Sequence, residues 1–152
     1  MALRRFSVTP TVSNAVAYVA NDVIGGRLQA YGIGAPPGIR LHSIVIADRD
    51  AQNVDYVLTI MDAAPTDILD NAAITTLADA DVSKIIYEKI IDAATYRRSY
   101  TANSKHEVTG LDVPLMSNEA DGDLWFFLWT TGGPTYTSTA AIALTLWFSP
   151  FK

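Results

Sequence analysis

The run Asp123-Leu124-Trp125-Phe126-Phe127-Leu128-Trp129-Thr130 carries no charge after its first residue. An extended chain alternates its side chains with period 2, so Trp125, Phe127 and Trp129 share one face and Leu124, Phe126 and Leu128 the other. A strand in a simple two-layer sandwich buries one face only. The second apolar face therefore needs another layer, a loop or a second subunit. A turn, Thr131-Gly-Gly-Pro-Thr-Tyr136, separates this run from Ala140-Ala-Ile-Ala-Leu-Thr-Leu-Trp-Phe148 at the chain's end. There Ile142, Leu144, Leu146 and Phe148 read as inward. Ala141, Ala143 and Thr145 make a small face that another surface can approach closely.

Working outward, the chain reads as short strands between Gly, Pro and Asn turns. Residues 39–48 alternate, with Leu41, Ser43, Val45 and Ala47 on one side and His42, Ile44 and Ile46 on the other. Residues 54–62 answer them, and the two predict a long hairpin across the polar turn 48–53. Residues 27–31 form a strand, followed by the stiff loop Gly32-Ile-Gly-Ala-Pro-Pro-Gly38. That loop is no phosphate cradle, because its prolines lack the donors and no helix follows. Residues 63–78 read as loop with at most a helical turn. Residues 79–84 read as one turn of helix capped by Asp79. The β-branched run Ile85-Ile-Tyr-Glu-Lys-Ile-Ile91 favours strand over a competing helix. Residues 93–107 read as a polar loop, with a brief pairing segment at 108–114.

This pattern predicts an all-β fold: an antiparallel β-sandwich, jelly-roll-like, with little helix and with its strand order open. At 152 residues and 16.5 kDa the chain is sized for one domain. The sandwich is expected over residues 13–152, preceded by an extended N-terminal arm at 1–12. In the arm, Arg4, Phe6 and Val8 alternate with Arg5, Ser7 and Thr9, and Pro10 ends any ladder. Two readings of the arm stand side by side: a frayed terminus, or a segment laid on a neighbouring subunit with Arg4 and Arg5 paired to acidic groups.

Composition narrows function by exclusion. Hydrophobic residues are 49% and charged residues 18%, light for a monomer's surface, so part of the apolar excess is expected at interfaces. The net charge of −5 argues against nucleic acid as a partner of the whole chain. Without cysteine there are no disulfides, zinc thiolates or cysteine catalysis. No apolar run approaches the ~20 residues of a membrane helix. Met1-Ala-Leu-Arg-Arg has a basic start, but the following Phe6-Ser-Val-Thr-Pro10 is no sustained apolar core, so no secretory leader and no membrane partner are expected.

Three Asp-x-Asp pairs occur: Asp48/Asp50, Asp79/Asp81 and Asp121/Asp123. None continues into a calcium loop with its closing Glu, and Asx-turns and caps account for them. His42 sits in a strand as a packed or interface residue, and His106 lies in polar sequence beside Lys105 and Glu107. No Gly-x-Ser-x-Gly elbow surrounds a serine. No nucleophile–base–orienter set is named, so no catalytic residue, metal or cofactor is expected. Arg97-Arg98 between Tyr96 and Tyr100 mixes basic and aromatic residues in the manner of a single-strand binder, but the acidic balance favours a solvated loop or a subunit contact.

Several segments, in order and spacing, resemble a known group: Val19-Ala-Asn-Asp-Val-Ile-Gly-Gly26, Ser43-Ile-Val-Ile-Ala-Asp48, Leu58-Thr-Ile-Met-Asp-Ala-Ala-Pro65, Asp70-Asn-Ala-Ala73 and Pro134-Thr-Tyr136. The chain from 18 to 148 resembles small virion structural proteins of tailed bacteriophages, of the capsid decoration or cement type. The resemblance implies a non-enzymatic β-sandwich that oligomerises and sits on the virion's capsid exterior. Its partners would be itself, as a homotrimer, and the major capsid protein. Tail or fibre association and a carbohydrate-binding module are the alternatives. The candidate contact residues are Arg4, Arg5 and Phe6 of the arm, with Trp125, Phe127, Trp129 and Trp147.

Overall fold

In the computed structural model, which describes residues 2–151, the aromatic run is β9 (Leu124–Thr130), an inner strand of the smaller of two sheets. Met1 and Lys152, the outermost residues of the expected arm and domain, lie outside the described residues. The other strands are β1 (Arg4–Val8), β2 (Leu28–Ala30), β3 (Ile39–Asp48), β4 (Tyr56–Met61), β5 (Ile85–Ile91), β6 (Arg97–Ser99), β7 (Ser104–Val108), β8 (Val113–Leu115) and β10 (Ile142–Pro150). Among the described residues, helix is confined to α1 (Asp79–Val82), α2 (Ala93–Tyr96) and a 3-10 turn at Ile74–Thr76.

One sheet runs β1-β10-β3-β7-β6, with β8 also on β3, and the other runs β2-β9-β4-β5. The pairs are nested: β1 with β10, β2 with β9, β3 with β7 and β4 with β5, all antiparallel and alternating between sheets. The ladders β10·β3 and β9·β4 join these pairs into the two layers. This is the jelly-roll order, and it makes the fold an all-β sandwich. Between the layers lie Leu124, Phe126 and Leu128 of β9, Tyr56, Leu58 and Ile60 of β4, Ile44 and Ile46 of β3, and Leu144 and Leu146 of β10.

Four expectations are corrected. β3 and β4 are not a hairpin: they lie in different sheets, and residues 49–55 cross between the layers. The faces of β3 exchange partway along. The β3·β10 register pairs Ser43 with Trp147 but Leu41 with Phe148, so His42 is an extra residue in a β-bulge. Leu41 is therefore buried along with Ile44 and Ile46, while Ser43, Val45 and Ala47 face out. The polar stretch 93–107 holds β7, whose Ser104, His106 and Val108 are buried while Lys105 and Glu107 face outward. Asp79 does not cap α1; the cap position is Ala78.

The expected arm is extended, but it is an edge strand of its own chain's sheet. β1 pairs with β10 from Arg4↔Phe148 to Val8↔Leu144, and the Phe6 ring stacks on Phe126 at 5.8 Å. Pro10 and Val12 are buried behind it, so the segment is anchored at its far end too.

Candidate assembly surface

The outer faces of the two sheets differ, and that difference defines the candidate surface. On the smaller sheet, the face of Trp125, Phe127 and Trp129 is covered by the chain itself. Ile68, Ile74 and Leu77 of residues 62–78, together with Val23, pack on Phe127 and Met61 as a second, smaller core. Backbone bonds hold this cover, Val23 N–H to Ala72 O at 2.8 Å and Asn71 N–H to Val23 O at 2.9 Å. Asp70 reinforces it by accepting from Gly25 N–H at 2.6 Å and Tyr18 O–H at 2.7 Å.

Phe127 is thus 0% exposed and has no surface to offer a partner. Trp125 and Trp129 are half-buried, and both indole N–H groups are used internally. Trp125 donates to Glu119 at 2.8 Å beneath the Arg27 guanidinium, and Trp129 donates to Thr59 at 3.1 Å. Phe6 faces the interior. The doubly apolar strand, read as needing another layer, a loop or a second subunit, is satisfied by a loop of its own chain.

Among the described residues, nothing covers the outer face of the six-stranded sheet in this way. Residues directly opposite across antiparallel strands share a face, and three rows result. Arg5, Trp147 and Ser43 form the first. Ser7, Thr145, Val45 and Glu107 form the second, with Ser7 and Thr145 hydroxyls 2.8 Å apart. Ala143, Ala47, Lys105 and Arg98 form the third. None of these side chains is buried. The middle of the face is small and uncharged, with Trp147 and Arg5 at one corner and the charges of β6 and β7 along the opposite edge. Ala143 and Thr145 belong to it as the sequence predicts, whereas Ala141 is buried. Val45 and Ala47 were assigned to this side of β3 by simple alternation, but the alternation placed Leu41 there as well. Arg4 lies apart, in a recess of about 350 Å³ with Tyr31, Pro36, Pro37 and Phe148.

The carboxylates and the buried tyrosines that could do chemistry are engaged in internal hydrogen bonds. The carboxylate oxygens of Glu119, Asp121 and Asp123 approach within 4.8 Å of one another. Each carboxylate already accepts from the protein: Glu119 from Ala64 N–H and Trp125, Asp121 from Asp123 N–H, and Asp123 from Gln29 and Gly32 N–H. Asp48 closes its turn by accepting from Asp50 and Gln52 N–H, each at 2.9 Å, and from the Tyr56 hydroxyl at 3.0 Å. Burial raises the Asp48 pKa above the usual carboxylate value, and these donors work against the rise. Tyr56 passes the network on to Tyr136 at 3.0 Å, and burial raises both phenols.

His42 Nε2 lies 2.7 Å from the Ser149 hydroxyl, the spacing of a base and a nucleophile, but Ser149 is 1% exposed. Neither ring nitrogen of the buried His106 has a hydrogen-bond partner, and the ring stands edge-on to Tyr56 at 4.9 Å. Burial, and then the Arg97 charge, hold its pKa below the ordinary value. No helix among the described residues is long and apolar enough to cross a membrane. No protein-family model matches the chain, and no curated protein matches it.

Proposed function

We propose that this is a non-enzymatic virion structural protein of a tailed phage, a decoration protein that binds the capsid exterior through the open face of its six-stranded sheet. The uncovered face carries the reading. Residues 62–78 close one sheet, while the other is left open, with small, uncharged side chains at its centre. A decoration protein needs a surface that docks closely on a shell and on its own copies, without chemistry.

The size of the face sets the expected strength. The eleven positions in its three rows, about 4.8 Å apart across strands and about 6.8 Å apart along them, give roughly 360 Å² of projected area. A standard interface takes about 800 Å² per partner, so one such contact is weak alone. Many copies on a repeating shell, each also touching its neighbours, add through multivalency. In this reading the chain forms trimers at local three-fold positions on the major capsid protein, assembling there rather than as an obligate trimer in solution. Trp147 is already partly buried, so covering the rest of it adds less than the about 1.5–3 kcal/mol of a fully exposed large side chain, before association costs.

The test is decoration of expanded, undecorated capsids by purified protein, followed by sedimentation. Saturable binding is expected, and Val45→Arg, placed on an exposed face, should abolish it while leaving the melting temperature within a few degrees. Binding by the Val45→Arg protein equal to the original, or no binding by either, would refute the proposal. Selective glycan binding in their place would assign the chain to the carbohydrate-binding class.

A further inference from the structure

β1 is the outermost strand of its sheet, and one side of its backbone is unused. It pairs with β10 on one side only. Among the described residues, Arg4 to Val8 make no further backbone hydrogen bond, and Arg4, Arg5 and Ser7 are exposed. Such an edge is a template for another strand. The longer edge strand β5 carries a bulge against β4, a device that turns an edge away from pairing.

The β1 edge ends at a recess. β10 runs past Phe148, the partner of Arg4, to Pro150, which pairs with Ile39 and has no β1 residue opposite. The recess of about 350 Å³ lies at this step, walled by Tyr31, Ile33, Pro36 and Pro37 together with Phe148 and Pro150. Arg4 is the one charged residue in its lining, and it makes no salt bridge among the described residues. The loop side of the recess is held in place. Gly32 N–H donates to Asp123 at 2.7 Å, Gly34 N–H to Gly122 O at 2.8 Å and Gly38 N–H to Ala35 O at 2.7 Å. The site is therefore preformed, mostly apolar and supplied with a single cation, the pattern of a pocket that orients its ligand by one polar contact.

We propose that β1 and this recess together bind the C-terminal end of a partner protein, which adds an antiparallel strand to the sheet edge, sets an apolar last side chain in the recess and pairs its terminal carboxylate with Arg4. Charge gives the direction. β1 runs from Arg4 toward Val8, so an antiparallel strand added to it finishes beside Arg4, where its carboxylate meets the guanidinium. A parallel strand would bring its ammonium group there instead. The ladders of both sheets are antiparallel as well. Past Arg4 an added strand has no partner left, so the bound chain ends at the recess. Main-chain hydrogen bonds supply affinity in this mode of recognition, and the pocket supplies specificity. The site is independent of shell binding and is tested on the free protein.

The probe is a hexapeptide of alternating threonine and valine with a blocked N-terminus, a leucine last and a free carboxylate. It is titrated into isotope-labelled protein and followed by amide NMR. Saturable shifts at residues 3–9 and 31–39 are expected. Replacing the carboxylate by an amide should weaken binding about tenfold, as expected for loss of a charge-assisted contact. Arg4→Ala should weaken the free acid by the same factor and leave the amide unchanged, whereas Arg5→Ala, on the opposite face, should change neither. A last residue of glycine should also bind more weakly. An added strand turns alternate residues toward β1, so N-methylating one alternate set of peptide nitrogens should abolish binding and the other set should not. The absence of saturable shifts, acid and amide of equal affinity, an Arg4→Ala protein that binds the acid like the original, or equal effects of the two methylated sets would each overturn the site. An amide-ended peptide with an internal aspartate that binds as tightly as the free acid would overturn the C-terminal assignment.

Discussion

Truncating Ile68 to alanine tests the cover on the smaller sheet. Ile68 is 4% exposed and packs with Val23, Met61 and Phe127. The change removes roughly three methylene equivalents, worth about 0.8 kcal/mol each on transfer, or about 2.4 kcal/mol. A cavity term adds to this where the surroundings cannot collapse. Here they are pinned on both sides, by Thr66 N–H to Asp81 at 2.8 Å and by the Val23–Ala72 and Asn71–Val23 backbone bonds. The expected loss is about 3 kcal/mol, inside the range of about 2–5 for buried large-to-alanine changes. For a domain of this length that lowers the melting temperature by about 6–12 °C. Leu69, the next residue, is 69% exposed. Leu69→Ala should therefore stay within about 0.5 kcal/mol. Urea and thermal unfolding followed by tryptophan fluorescence suit the question, because Trp125 and Trp129 lie under the segment. An Ile68→Ala protein as stable as the original, or equal losses at 68 and 69, would show that residues 62–78 do not seal this face.

Acid should destabilise the fold through His106. Its folded pKa lies below the ordinary 6.5, so the unfolded chain takes up a proton first as pH falls. This contribution to stability is full above about pH 6.5 and declines from there toward the folded pKa. Asp48 has the opposite sign. Its raised folded pKa means the native state binds the proton first, which favours folding as pH falls toward 3.8. Urea midpoints between pH 7.5 and 5 should fall less steeply in His106→Leu than in the original protein, and identical slopes would count against a buried neutral imidazole. Chelating divalent ions should leave the melting temperature unchanged, because Glu119, Asp121 and Asp123 each have protein donors. A loss of several degrees that calcium reverses would make the cluster a metal site.

The fold class was legible because most strands carry their own period-2 signal. β10 read correctly residue by residue on its inward face, β9 read correctly as apolar on both faces, and the β-branched run of β5 outweighed its helical alternative. β7 was missed because two of its three inward residues, Ser104 and His106, are polar, so its alternation is invisible to hydrophobicity. The face switch in β3 was missed because a bulge depends on what the partner strand does, and no residue near His42 announces it. The hairpin expected between β3 and β4 failed for a related reason. Adjacent strands joined by a polar turn look alike whether they pair or cross between layers, and the pairing partners of both lie far along the chain.

The candidate surface divides the same way. The sequence by itself determined that β9 is apolar on both faces and that something must cover it. It also marked Ala141, Ala143 and Thr145 as places for close approach, of which Ala141 is buried. Only the tertiary structure decided that residues 62–78 are the cover, because Ile68, Ile74 and Leu77 are spaced without strand or helix period and become one surface only when the loop is laid across Phe127 and Met61. It likewise turned Arg4–Val8 from a free arm into a paired edge strand, since a strand's hydrogen bonds are made with a partner and are not written in its own side chains.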